Sequence, residues 1–436
     1  MTFTDFLLFI FYAFIYYRYI AYRAAKDELT GGYLKKSYQF RVLLSFCLSI
    51  FVLYISPSDA GAIFFPEAKN VYHQILADPS KLDFFINDWE DNADLSATDD
   101  MSVPYYRGAN FILIKFITAF CFISFGNFVT ISFLFSLLAF EGAWKLFTFF
   151  NQLNPALHKY TAICFLFIPT YVFWTAGIVK EALSIFCLGY ITYLFYNLSF
   201  SIKSIVFKIP IILLLGILLY NVKSYTLIAF VPIYLYFIVK YKFDGAFTNK
   251  ALKYGLGLIF VAIFAGGIIY FVNSDTEALQ EFQLDSVTQT LESQQTQFLL
   301  QADDAGSSFN LGVTFDPSPA GLAKSIPFAI AATFFRPFLW EAKKITTLIS
   351  AAESLFFLLA TLYVIFKCGF FYFLKKILTD PLILFCFVFA IFFGFFCGIS
   401  TLNFGSLVRY KLPCIPFYLY ALVLIYLSKF STSISK

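Results

Sequence analysis

Charged residues at the ends of apolar segments are the part of this sequence that could carry out chemistry. A site for a phosphorylated ligand needs cations to hold phosphate oxygens, and arginine binds such oxygens through paired hydrogen bonds. It also needs a carboxylate that takes a proton from an acceptor hydroxyl. Ligand binding is assigned to Lys180, Arg336, Arg409 and Lys411. The catalytic base is assigned to Asp59, with Glu181 and Glu341 as the alternatives.

Each of these residues also has a purely structural interpretation. Asp59 follows the tripeptide Ser-Pro-Ser at a helix end, where an aspartate often caps a turn. Arg336 precedes a helix that would start at proline, and Trp340 is close by, which is typical of a membrane interface. For Arg409 and Lys411 we favour the functional interpretation, because two cations at a predicted outer helix end are contrary to the usual charge bias of outer loops.

The stretch 165–183, FLFIPTYVFWTAGIVKEAL, is predicted to form one wall of the site. Pro169 and Gly177 break its apolar run before Lys180 and Glu181 follow as neighbours. A charged pair at the end of a broken membrane helix is costly in lipid, so it is expected to face a protein interior or a water-filled cavity. The alternative is a helix end at the interface, where the lysine snorkels and the glutamate is solvated.

The composition places the site in a membrane protein. The chain of 436 residues is 60% hydrophobic with 62 phenylalanines, and only 13% of it is charged, against roughly 25% in soluble domains. We predict an all-α, polytopic integral membrane helical bundle over residues 1–436, with two long outer loops. At about 20 residues per span, it would have about 11 to 13 membrane helices, counting re-entrant and half-length segments.

Several classes of ligand are excluded by the residue types. The net charge of +4 is too small to suggest nucleic acid. All eight cysteines lie in or beside apolar segments with no CxxC pair, and the two histidines are far apart, so we predict no metal site and no cofactor. The acidic loops have no ligand spacing that would support a specific divalent cation.

Charge bias orients the chain. Five cations between the first two helices, Arg23, Lys26, Lys35, Lys36 and Arg41, predict a cytoplasmic loop. The N-terminus is then outside and the C-terminus inside, and the acidic segments 57–107 and 273–325 form the outer loops. Within the first loop, AIFFPEAKNVYHQIL is predicted to be an amphipathic helix whose aromatic and aliphatic residues face lipid.

Counting the helices exposes a conflict. Helix one is predicted at about Phe3–Ala21 and helix two at about Val42–Ile55, and six more apolar segments follow before the next basic loop. Helix two and these six segments make seven crossings between the two basic loops, an odd number, whereas two cytoplasmic loops require an even one. One segment must be re-entrant or half-length, and the predicted candidates are the Pro169 segment and the interruption at 221–224.

Three segments resemble bacterial envelope proteins related in layout to GT-C glycosyltransferases and O-antigen-type polysaccharide polymerases. They are FIPTYVFWTAGIVKEAL, FRPFLWEAKKITTLISAAESLFF and GISTLNFGSLVRYKLPCIPF. The resemblance implies an enzyme of the bacterial inner membrane that uses a polyprenyl-phosphate or polyprenyl-diphosphate sugar donor and a glycan acceptor at the outer face. It also implies that the acidic residue of the first outer loop, matched here by Asp59, is catalytic.

The sequence departs from these families in three ways. The loop with Asp59 follows the second predicted helix, whereas in GT-C proteins it follows the first. No DxD or ExD motif lies near it, and the polymerases' spaced arginine-to-glycine pattern is not evident.

A transporter or flippase of lipid-linked or anionic envelope components is the alternative prediction, with the same cations lining its path. A non-catalytic scaffold would leave the clustered cations unexplained.

Overall fold

The computed structural model describes residues 3–56, 58–88, 95, 109–199, 201–243, 309–313 and 319–430. These residues are mostly helical and include no β-strand element. The fold is therefore the predicted all-α, polytopic membrane bundle. The predicted helix at 255–271, most of the second outer loop and the acidic run DWEDNADLSATDD lie outside the described residues.

The chain divides into two compact units, Met1–Leu227 and Ile228–Lys436. The helices of the first unit are α1 Phe3–Ala25, α2 Gly31–Ile50, α3 Phe65–Ala77, α4 Ala109–Ser124, α5 Phe128–Leu153, α6 His158–Leu166, α7 Pro169–Trp174 and α8 Lys180–Tyr196. The long helix α9, Ile202–Phe243, kinks at Lys223 and enters the second unit after Leu227.

The other helices of the second unit are α10 Pro319–Phe335, α11 Ile345–Cys368, α12 Phe370–Thr379, α13 Pro381–Ser400, α14 Phe404–Tyr410 and α15 Ile415–Phe430. Six described helices are long and apolar enough to cross a membrane: α1, α2 with the turn after it, α5, α9, α11 and α13. The pair α14 and α15, bent by 64°, makes a seventh if it is one span. The prediction of about 11 to 13 membrane helices over the whole chain stays a prediction.

Helix α1 sets the direction of its neighbours. The Tyr38 hydroxyl of α2 donates to the Ala13 carbonyl at 2.5 Å, and a short turn joins the two helices, so α2 runs antiparallel to α1. At the start of α5 the Asn127 amide donates to Asp5 at 2.8 Å, and the Tyr16 hydroxyl donates to Glu141 at 2.7 Å further along. Helix α5 is therefore parallel to α1, and α2 ends where α5 begins. We call this end of the first unit the Asp5 end.

This arrangement bears on the odd crossing count. Because α2 ends and α5 begins at the Asp5 end, a single crossing by α4 would leave the chain at the opposite end from the start of α5. Its 16 residues span about 24 Å as a helix, short of the roughly 30 Å of a bilayer core. Its length and position favour α4 as the half-length segment, and the number of crossings between the two basic loops stays a prediction.

The amphipathic helix of the first loop exists as α3, but its apolar face does not face lipid. Ala68, Val71 and Ile75 are buried in a cluster with residues of α4. The Thr118 hydroxyl of α4 donates to the Ala68 carbonyl at 3.3 Å. The two short helices thus cover each other's apolar surface, which sequence periodicity alone cannot distinguish from lipid contact.

Helix α2 begins earlier than predicted. It starts at Gly31 and includes Lys35, Lys36 and Arg41, so Arg41 is a buried helical residue and not a loop cation. The three cations precede the apolar run at Val42, where the sequence prediction began the helix, so its first part was predicted to be a loop. The turn between α1 and α2 has only five residues, and Gly31 fits closely against the Ala24 carbonyl.

Asp27 holds this turn together and makes its stability depend on pH. Its carboxylate accepts from the Thr30 hydroxyl and from the Thr30 and Leu29 amides, and these bonds lower the pKa of Asp27. A depressed folded-state pKa contributes stability that is present above the unfolded value, near 3.9, and is lost as pH falls through the folded value. Asp27→Asn is expected to cost about 0.5 to 1 kcal/mol at pH 7, since the residue is exposed and screened.

Thermal unfolding in detergent between pH 3 and pH 7 checks this expectation. The difference between wild type and Asp27→Asn should close towards pH 3. Glu28→Gln, at the exposed neighbouring position, is the matched control and should follow wild type at every pH. A constant difference between Asp27→Asn and wild type across the range would contradict the assignment.

Candidate functional site

The seven predicted site residues fall into both units. Asp59, Lys180 and Glu181 belong to the first unit, and Arg336, Glu341, Arg409 and Lys411 belong to the second. Two of them, Arg336 and Glu341, contact each other directly. Lys411 joins them through one serine, whereas Glu181 pairs with a lysine that was not predicted as a site residue.

Asp59 lies just before the helical turn Ala60–Phe64, which leads directly into α3. Its side chain is exposed and makes no capping hydrogen bond to that turn. The cap interpretation therefore has no support from the geometry. The role of Asp59 as catalytic base stays a prediction.

Glu181 is the buried acid of the first unit. Its carboxylate lies 2.5 Å from the ammonium of Lys223, and both side chains are only 5% exposed. The carboxylate is on the second residue of α8, where the unpaired amides and the helix dipole favour negative charge. Glu181 thus faces a protein interior, as the broken-helix argument predicted, and is not solvated at an interface. Lys180 beside it is half-buried.

Lys223 reaches Glu181 because α9 kinks at this residue, whose backbone is non-helical (φ −155°, ψ 78°). The neighbouring Val222 packs into the same cluster as Ala182 and Leu183 of α8. The sequence marked 221–224 as an interruption, and the kink confirms that a break exists there. What the sequence missed was the partner, since a cation 42 residues away gives no local sign of pairing with Glu181.

The second unit holds Arg336 between a carboxylate and two aromatic rings. The Arg336 Nε donates to both oxygens of Glu341 at 3.1 Å, and Nη2 donates to Glu341 as well. The Phe338 amide donates to the same carboxylate at 2.8 Å. The guanidinium carbon lies 4.6 Å from the ring centre of Phe309 and 5.5 Å from that of Phe404, within cation–π range.

Two segments that are far apart in sequence contact this guanidinium. The rings of Phe309 and Phe404 stack at 4.4 Å, and the Phe309 amide donates to the Leu402 carbonyl at 3.0 Å. The Asn310 carbonyl accepts from Arg336 Nη1 at 2.8 Å. The last part of the predicted second outer loop and the start of α14 are therefore brought together at Arg336, with the arginine and Glu341 side chains 17% and 19% exposed.

Lys411 extends the cluster into the interior of the unit. It is 1% exposed and lies at the break between α14 and α15. Its ammonium donates to the Thr333 carbonyl at 2.9 Å and to the Ser354 hydroxyl at 3.4 Å. That hydroxyl in turn donates to the Arg336 carbonyl at 2.9 Å. We call Arg336, Glu341, Ser354 and Lys411 with Phe309 and Phe404 the Arg336 cluster.

Arg409 and Glu353 flank this cluster in sequence. Arg409 is half-buried in the last turn of α14, two residues before Lys411. Glu353 is half-buried next to Ser354 on α11, and its charge interacts with Lys411. Three cations thus accompany two carboxylates, which leaves one positive charge in excess. Among the described residues, no group of three or more His, Cys, Asp or Glu side chains comes together in a way that could hold a metal ion.

No protein-family model matches this chain, and neither the curated proteins nor the solved structures gave a match. The fold and its buried charges define the class: a multi-pass helical membrane protein with a polar cluster in each of two units.

Proposed function

We propose that this protein is a membrane glycosyltransferase or repeat-unit polymerase that uses a polyprenyl-phosphate or polyprenyl-diphosphate sugar at the outer face of a bacterial inner membrane. The Arg336 cluster is the part that binds the donor phosphate. The proposal depends on one observation. Arg336 is partly exposed, and its ion pair with Glu341 holds it in one orientation between the end of α10 and the start of α11.

The guanidinium has hydrogen-bond capacity left for a ligand. An arginine has five N–H donors, and three of them are used by Glu341 and Asn310. Within the described residues this leaves one N–H on each terminal nitrogen for an oxygen of a phosphate. The buried charge of Lys411, which is linked to Arg336 through Ser354, adds to the attraction.

The proposed reaction transfers a glycosyl group from the donor phosphate to an acceptor hydroxyl. The acceptor hydroxyl oxygen forms a bond to the anomeric carbon while the bond from that carbon to the phosphate oxygen breaks. The hydroxyl proton passes to a carboxylate, and the polyprenyl phosphate leaves with the electron pair. Arg336 stabilises the charge that develops on the leaving phosphate, which is where fixed donors lower a barrier most.

Glu341 is better placed to hold Arg336 than to act as the base. Its oxygens already accept from the guanidinium and from the Phe338 amide, so proton uptake would require these bonds to break. Ground-state positioning of a cation is the role that such a fully bonded carboxylate performs. Glu341 is therefore assigned to positioning Arg336, and the assignment of the base to Asp59 stays a prediction.

Arg336→Ala tests the proposal. A deletion strain complemented with this variant is expected to accumulate the lipid-linked precursor and to lack the matching surface glycan, both measured by mass spectrometry. In nanodiscs, affinity for undecaprenyl diphosphate should fall about 10- to 100-fold, the loss expected for hydrogen bonds to a charged group. Trp340, stacked on Phe338 at 4.8 Å and 81% exposed, provides a fluorescence signal for that titration.

Lys344→Ala is the matched control, because this exposed cation lies in the same segment. It should complement fully and bind the diphosphate like wild type. Arg336→Lys should recover only part of the affinity, since a lysine cannot form the fork with Glu341. Full complementation by Arg336→Ala at wild-type expression would overturn the proposal.

A transporter or flippase of anionic envelope lipids is the second candidate. The observation that favours it is the pair Glu181–Lys223, buried where α9 kinks and α8 begins. Charged residues at broken membrane helices are typical of transport sites. Movement of a labelled polyprenyl-linked sugar across proteoliposomes without any change in its chemical structure would favour this function over glycosyl transfer.

A further inference from the structure

We propose that the first unit binds a small monovalent anion, a halide such as chloride, at the buried guanidinium of Arg41. The site lies between the middle of α2 and the non-helical segment after α7. It contains none of the residues assigned to the donor phosphate, so the inference does not depend on the proposed function.

Arg41 is a fully buried cation with few contacts. It is 2% exposed, and among the described residues only its Nη1 has acceptors: Nη1 donates to the Thr175 hydroxyl at 2.7 Å and to the Thr175 carbonyl at 3.2 Å. The donors Nε and Nη2 have no acceptor within the part of the chain that the structure describes. These two nitrogens form the edge with which a guanidinium binds an anion through two hydrogen bonds.

The other buried cations of the described chain are each close to a carboxylate. Lys223 pairs with Glu181, and the charge of Glu353 interacts with Lys411. Arg41 makes no ion pair with any described carboxylate. An arginine does not lose its proton in a protein, and an isolated buried charge is strongly unfavourable. We therefore expect an anion that is not part of the chain to balance the charge of Arg41.

Two hydroxyls near Arg41 also lack partners. The Tyr171 hydroxyl and the Ser45 hydroxyl are both buried and make no hydrogen bond to any residue that the structure describes. Ser45 is one turn after Arg41 on the same face of α2. Tyr171 is one turn before Thr175, whose hydroxyl donates to the Tyr171 carbonyl at 2.6 Å, and Tyr171 is close enough to interact electrostatically with Arg41. Each hydroxyl can donate a proton to an anion.

The set of unused groups selects the ligand. It contains N–H and O–H donors and one positive charge, and it contains no carboxylate that would suit a metal ion or a cationic ligand. A halide accepts from all of these groups and needs no acceptor in return. A phosphate carries more charge and needs more donors to replace its water, so this enclosed site favours the smaller, singly charged ion.

Thermal unfolding of the purified protein in detergent tests the site, with sodium chloride replaced by sodium gluconate at constant ionic strength. A ligand that binds only the folded state raises the unfolding temperature with its concentration. We expect a saturable rise with chloride, and with bromide as a second probe, that gluconate does not produce. A wild-type protein that unfolds at the same temperature in chloride and gluconate would overturn the proposal and leave water as the occupant.

Variants assign the effect to Arg41. Arg41→Met should unfold independently of chloride and should match or exceed wild-type stability in gluconate, because the unpaired charge is gone. Tyr171→Phe should keep the effect but weaken the apparent chloride affinity about tenfold or more, as one hydrogen bond to a charged group is lost. Arg18→Met, at an exposed position of α1, is the control and should respond to chloride like wild type. An unchanged chloride response in both Arg41→Met and Tyr171→Phe would place the ion elsewhere.

Discussion

Lys223→Met is expected to lower the free energy of unfolding by about 3 to 5 kcal/mol, because it removes the cation that pairs with a buried Glu181. Both side chains are 5% exposed, so solvent cannot replace the lost partner without opening the contact between α8 and α9. Methionine fills a volume similar to that of the lysine stem. The loss therefore reports the removal of the positive charge beside the buried carboxylate and not a cavity.

The double variant Glu181→Gln with Lys223→Met should recover most of this loss. Removing both charges together also removes the cost of burying them, and replacing a whole buried ion pair is often close to neutral. Glu181→Gln alone should be destabilising, since it leaves the lysine charge buried. A double-mutant cycle of these three proteins gives the coupling energy of the pair.

Unfolding by heat or by SDS, followed by tryptophan fluorescence, measures the cycle. Lys203→Met is the matched control, because this lysine is exposed on the same helix α9 and should change stability by less than about 0.5 kcal/mol. If the double variant lost as much stability as the two single variants added together, the two residues would not be coupled. The kink at Lys223 would then have a cause other than this ion pair.

The composition and the apolar runs were enough to predict the class of fold and the position of most long helices. The predicted helices at Val129–Phe149, Ile345–Phe366 and Pro381–Cys397 lie within α5, α11 and α13. These segments are almost purely apolar over the length of a membrane span, so local sequence determines them. Helices that include charges were placed less well, as α2 shows.

The polar contacts could be predicted only in part. Glu341 follows Arg336 by five residues, and the sequence singled out both, Arg336 as a ligand of the phosphate and Glu341 as an alternative base, without predicting that they pair. The pairing of Glu181 with Lys223 and the burial of Arg41 against Thr175 depend on how helices meet. Separations of 42 and 134 residues carry no periodic signal that would reveal such contacts. Arg41 was missed because a cation near other cations was interpreted as a loop residue.

Gly189→Ala is expected to be the second strongly destabilising change. Helices α5 and α8 approach so closely that a Cβ atom on Gly189 would lie 2.0 Å from the Gly142 carbonyl oxygen. A Cβ atom on Gly142 would lie 2.3 Å from the Ile185 carbonyl oxygen. The atoms met are backbone atoms, so no side-chain rotation can relieve the contact. Small residues allow this close packing between membrane helices, which is held by dispersion and not by the hydrophobic effect.

The two helices must therefore separate to admit one methyl group, and the packing of the neighbouring side chains is lost along the interface. We expect Gly189→Ala and Gly142→Ala each to cost about 2 to 3 kcal/mol, even though alanine is the better helix former. Gly216→Ala on α9 adds the same methyl group, but a Cβ atom there has no atom of the described residues within 4 Å. It should stabilise the protein by up to about 1 kcal/mol through helix propensity alone.

The sign of the difference between these variants is the decisive quantity, because all three add the same methyl group to a helical glycine. SDS or thermal unfolding of the three proteins measures it. Equal effects at positions 142, 189 and 216 would mean that α5 and α8 do not touch at these glycines. A loss of stability confined to positions 142 and 189 would establish this close contact. The same contact positions α8, which has Glu181 in its first turn.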